Sequence, residues 1–89
     1  MNNENEIQYG FAYDQYFDQN YPKSIEICQK LMALDEFKIT ASDLLASNFK
    51  KQKLFLEALK IYKTILKENK DYLIYYNIHI LVDKYLIYY

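Results

Sequence analysis

At 89 residues, with 52% hydrophobic and 26% charged side chains, the chain has the size of one small domain and a globular rather than disordered composition. Its single Gly and single Pro give β-hairpin turns little to work with, so an all-α fold is expected, and a Gly-rich phosphate loop is excluded. The net charge of −1 conceals two oppositely charged halves.

Apolar residues recur at helical spacing along nearly the whole chain, which predicts about five helices. Residues 1–5 form a polar, frayed N-terminus, and the first helix runs from about Glu6 to Asp18. Pro22 suits the first turn of a second helix, where its missing N–H is no loss. That helix extends to about Leu34 and buries Ile25, Cys28, Leu31 and Met32. After a linker from Asp35 to Lys38, Thr40 and Asp43 have the spacing of a capping box that opens the third helix. This helix ends near Lys50 to Lys53, where cations complement the helix dipole. The fourth, Leu54 to about Glu68, buries Phe55, Ala58, Leu59, Tyr62, Ile65 and Leu66. Asp71 caps a fifth that continues to Tyr89.

A shift of 34 residues superimposes the first hairpin (6–36) on the second (37–70). Phe11 falls on Leu45, Ala12 on Ala46, Tyr21 on Phe55 and Ser24 on Ala58. Ile25 falls on Leu59, Cys28 on Tyr62, Leu31 on Ile65 and Met32 on Leu66. Small side chains meet small ones, as close helix crossings require.

This pattern resembles the tetratricopeptide repeat. Leu45, Ala46, Phe49, Ala58 and Tyr62 match the family's spacing of small and aromatic residues. The first hairpin is looser, with the aromatic due at Gln15 arriving one residue late as Tyr16. The family's Gly between paired helices is replaced by Asp18–Gln19 and Gln52–Lys53, and its Pro is absent at Glu36 and Lys70. Half-a-tetratricopeptide and proteasome-lid-type hairpin arrays therefore stay open as relatives. The resemblance implies antiparallel hairpins stacked as a short right-handed solenoid, and a protein-binding role.

The same shift makes residues 71–89 the first helix of a third repeat without a partner helix. Apolar side chains surround nearly its whole circumference, so some of them, including Tyr75, Tyr76, Leu81, Tyr85, Tyr88 and Tyr89, are expected to pack on a protein partner, on a second copy or on residues absent from this chain. Asn77, His79, Asp83 and Lys84 interrupt the run, which argues against a membrane span.

Nothing points to catalysis, a metal, a cofactor or a small-molecule substrate. Cys28 has core spacing, His79 lies on an apolar helix, and neither belongs to a catalytic or metal-ligand motif. A lone Cys and a polar, acidic N-terminus without a signal peptide suit the cytoplasm, with the nucleus as an alternative. The 11 Tyr and 11 Lys, with no Arg, fit the codon bias of a genome rich in A and T, so Tyr content alone does not signal binding.

Charge is more informative. Up to Glu36 there are seven acids (Glu4, Glu6, Asp14, Asp18, Glu26, Asp35, Glu36) against Lys23 and Lys30, a net −5. From Phe37 to Lys70, eight lysines against Asp43, Glu57 and Glu68 give +5. Lys60, Lys63, Lys67 and Lys70 follow one helix face, with Lys53 at the preceding turn. A solvated face is the simple explanation; an acidic protein or nucleic-acid phosphates are the functional ones, though without Arg no bidentate phosphate contact is available.

Members of the resembled family bind peptides on a concave face lined by the first helix of each hairpin. By alignment that face would hold Tyr9, Tyr13, Tyr16 and Phe17 with Asp43, Ser47, Lys50 and Lys51. The set lacks the Lys and Asn clamp used for chaperone tails, and its aromatic groove suits an extended or helical apolar segment.

Overall fold

The computed structural model describes residues 3–68 and 77–78. Four helices, α1 (Asn3–Phe17), α2 (Tyr21–Leu31), α3 (Lys38–Lys51) and α4 (Phe55–Glu68), are joined by short turns, with a 3-10 turn at Asp35–Phe37. No strand occurs among the described residues. Each helix packs on the next in chain order, and α1 also touches α3.

The two hairpin turns explain the period physically. Gln19 and Lys53, one 34-residue shift apart, both adopt left-handed backbone conformations, with φ of 65° and 64°. The Asn20 N–H reaches back to the Gln15 carbonyl at 2.8 Å, and the Leu54 N–H to the Phe49 carbonyl at 2.8 Å. Gln19 N–H to Tyr16 (3.1 Å) and Lys53 N–H to Lys50 (3.0 Å) complete the same pair of bonds. This is a Schellman ending, which satisfies the orphan carbonyls at a helix C-terminus and turns the chain back. Glycine usually occupies the left-handed position; here Gln and Lys do so.

Core packing repeats with the turns. Ala12 and Ala46, Ser24 and Ala58, Cys28 and Tyr62, and Leu31 and Ile65 are buried in matching pairs. One apolar cluster joins α1, α2 and α3 through Ala12, Cys28, Leu31 and Leu45. A second joins α3 and α4 through Ala46, Ala58, Tyr62 and Ile65, and Ile78 packs against it.

Several sequence-based expectations are corrected. Residues 3–5 belong to α1, whose first turn carries Glu4 and Glu6, acids that favour the positive end of the dipole. The capping box at Thr40 does not form. The 3-10 turn leads directly into α3, which begins at Lys38 and has no side-chain cap. The Lys38 N–H bonds to the Asp35 carbonyl instead. The second helix stops at Leu31, and its fully buried face holds Ile27 alongside Cys28 and Leu31. Ile25 and Met32 are only partly buried, as are Phe55, Leu59 and Leu66 of α4.

No helix among the described residues is long and apolar enough to cross a membrane. The fifth helix, with Tyr75, Tyr76, Leu81, Tyr85, Tyr88 and Tyr89, lies outside the described residues apart from Asn77 and Ile78, which are helical. Lys70 and His79 also lie outside them.

Candidate protein-binding groove

A helix that turns Tyr9, Tyr13 and Tyr16 toward one side can line a groove with rings, and α1 does so. Tyr13 is the hub: its ring lies 5.9 Å from Tyr9, 6.1 Å from Tyr16 and 5.2 Å from Phe17, centre to centre. Edge-to-face geometry dominates, which is the favourable arrangement for aromatic quadrupoles. Tyr9 and Tyr16 rest on the core cluster, while Tyr13 and Phe17 are exposed. Phe37 extends the row beyond Tyr9 at 6.2 Å, and Tyr21 extends it beyond Tyr16 at 6.3 Å.

Tyr16, the ring one residue after the aromatic due at Gln15, packs on the first core cluster, as Phe49 does. Phe49, one period after Gln15, packs against both core clusters. Gln15 instead uses its side-chain carbonyl to accept a 2.7 Å bond from the Asn20 amide, next to the turn.

From α3, Asp43 and Ser47 are partly buried, and the Ser47 hydroxyl bonds back to the Asp43 carbonyl at 3.1 Å. The Lys50 ammonium lies 5.6 Å above the Tyr62 ring, a cation–π contact. Lys51 is exposed and closes a cavity of about 330 Å³ with Tyr13, Tyr16, Phe17, Gln19 and Tyr21. Four of the eight groove residues from the sequence thus meet around one cavity. Gln19 and Tyr21 join them because the Schellman turn brings the start of α2 alongside the end of α1.

The groove carries charge of both signs. Burial, then Tyr13, then the Asp43 carboxylate raise the Tyr9 phenol from 10.0 to about 12. Burial and neighbouring Tyr13, Tyr21 and Asp43 raise Tyr16 as well. Tyr62 is raised by its burial first and by Asp43 second. Its buried hydroxyl has no partner in hydrogen-bonding geometry, although Asp43 and Ser47 are the polar side chains acting on it. Asp43 thus lies close enough to raise Tyr9, Tyr16 and Tyr62, phenols that stay protonated, while Lys50 over the Tyr62 ring and Lys51 at the cavity add positive charge.

Behind the groove a polar chain crosses three helices. Asn48 donates to the Ser24 hydroxyl at 2.9 Å and to the Leu44 carbonyl at 3.0 Å, and Ser24 donates to the Ala12 carbonyl at 2.8 Å. All of this is buried, and the Asn48 side-chain carbonyl has no partner. Periodicity alone assigns Asn48 no such role, since it does not specify hydrogen bonds between helices.

The Lys face is mixed. Lys60 pairs with Glu57 at 3.7 Å, whereas Lys53, Lys63 and Lys67 are exposed without an ion pair among the described residues. Lys38 pairs with Glu68 across α3 and α4. No group of three His, Cys, Asp or Glu able to hold a metal occurs among the described residues. Cys28 is fully buried, and that burial pushes its thiol from 9.0 up to about 11 despite a Ser24 hydrogen bond that lowers it.

The described residues form an all-α fold in which the α1–α2 and α3–α4 turns match in backbone conformation and hydrogen bonding. No family model matches the sequence, and no curated protein or solved structure is significantly similar to it.

Proposed function

We propose that the chain is a non-catalytic protein-interaction module of tetratricopeptide-like type, an adaptor or small subunit of a larger assembly. The observation that carries this reading is the aromatic groove: exposed Tyr13 and Phe17 beside a cavity closed by Lys51, on a frame whose turns recur every 34 residues. Exposed rings with few rotatable bonds are effective anchors for a protein segment. Apolar rings beside Lys51 suit an amphipathic or extended peptide with an acidic residue near that lysine.

In this proposal the hairpins continue as a short right-handed solenoid, and residues 71–89 supply a fifth helix. The contact of Ile78 with the Ala46–Tyr62 cluster supports it, because Leu44, one period earlier, sits in the corresponding cluster. Tyr75, Tyr76, Leu81, Tyr85, Tyr88 and Tyr89 would provide the second docking surface. The working compartment in this reading is the cytoplasm.

The test is purification from the native source, comparing the unaltered chain with Tyr13→Ala/Phe17→Ala and with Lys60→Glu/Lys63→Glu/Lys67→Glu. A co-purifying protein lost only with the aromatic pair supports the groove. Loss of bound nucleic acid with the lysine variant, in a salt-dependent way, would favour phosphate binding instead.

A further inference from the structure

The outer side of α1 is exposed where its counterpart in α3 is covered. Ala41, Leu44, Leu45 and Asn48 of α3 are buried. One period earlier, Ile7 is 68% exposed, Phe11 is 43% exposed, Gly10 borders open space, and Asp14 is exposed. This face also carries acid: Asp14 and Asp18 follow Ile7 and Phe11 at spacings of 4, 3 and 4, and neither enters an ion pair among the described residues. Such spacing keeps Ile7, Phe11 and Asp14 on one face of α1, and Asp18, in the turn just past its end with its N–H on the Asp14 carbonyl, continues that face.

At the other end of the row of helices, α4 carries the same spacing with opposite charge. Leu56 is 62% exposed, and Lys60, Lys63 and Lys67 follow at 4, 3 and 4. We infer that the outer face of α1 docks the lysine face of α4 in a second copy of this chain, with the two helices side by side and parallel. In that register Ile7 meets Leu56, Phe11 covers the Lys60 stem, Asp14 meets Lys63 and Asp18 meets Lys67. Lysine stems lie well on apolar surface while their ammonium groups stay wet. Pairing of two α1 helices offers no opposite charge: in parallel it sets Asp14 and Asp18 against their own copies, and antiparallel it sets them against Phe11 and Ile7. The contact is separate from the aromatic groove, so failure of one does not decide the other.

Sedimentation velocity of the full chain tests the pairing. Association should appear at low salt and weaken at least tenfold between about 20 mM and about 500 mM NaCl, as exposed charges become screened. Asp14→Lys/Asp18→Lys and Lys63→Glu/Lys67→Glu should each lose association alone and regain it when mixed, with circular dichroism establishing that both fold. Phe11→Ser should weaken association at every salt concentration. The proposal is overturned if the unaltered chain stays monomeric at low salt, if either charge variant associates alone as the unaltered chain does, or if the mixture fails to associate.

Discussion

Gln19 and Lys53 hold backbone conformations that cost side chains with a Cβ about 1–2 kcal/mol. Both are tolerated because each closes two backbone bonds at a helix end that would otherwise leave carbonyls unsatisfied. Gln19→Gly and Lys53→Gly should therefore each stabilise the fold by about 0.5–1 kcal/mol, the relief of strain exceeding the added chain entropy of glycine. Urea unfolding should show a higher midpoint with unchanged slope; a lower midpoint would mean these side chains make contacts that outweigh the strain. Buried Cys28 and half-buried Tyr9 predict a pH dependence. They ionise near 9.0 and 10.0 in the unfolded chain but only near about 11 and about 12 in the folded one. The folded state holds these protons more tightly, so stability is full below pH 9 and falls as pH rises through the window up to about 12. The urea midpoint should drop between about pH 8 and about pH 10.5, and drop less in Cys28→Ala, whose thiol no longer contributes to this linkage.

At the scale of elements, helix type and the 34-residue period were legible because side-chain size recurs with the turns. Ala12 with Ala46 and Leu31 with Ile65 match in burial as well as in size. Helix ends were less legible. Thr40 has a capping residue's chemistry, but a preceding 3-10 turn had already started α3 at Lys38. Ile27 was missed because apolar residues at 25, 27 and 28 surround much of α2, and only packing decides which of them faces inward. Phe11 shows the reverse: its partner by alignment, Leu45, is buried under α2, whereas no described helix covers that side of α1. The eight groove positions rest on a family resemblance; the aromatic row on α1 lies together because its rings are spaced three and four residues apart on one helix. Tyr21 and Gln19 were outside its reach, since they enter the cavity through a turn whose Gly is missing. The polar chain through Asn48 and Ser24 was invisible for a different cause: hydrogen bonds between helices depend on register, which periodicity does not encode.

On the scale of the whole molecule, an acidic first half and a basic second half lie at opposite ends of a row of helices. That separation is what gives the proposed self-association its direction, and the aromatic groove is the proposed docking place for another protein. The measurement that tests the central claim most directly is hydroxyl-radical footprinting of the chain, free and with its co-purified protein. Oxidation of Tyr13 and Phe17 should fall several-fold in the complex, while Leu56 on the α4 face is unaffected. Undiminished oxidation of Tyr13 and Phe17 in a stable complex would contradict the groove as the binding site.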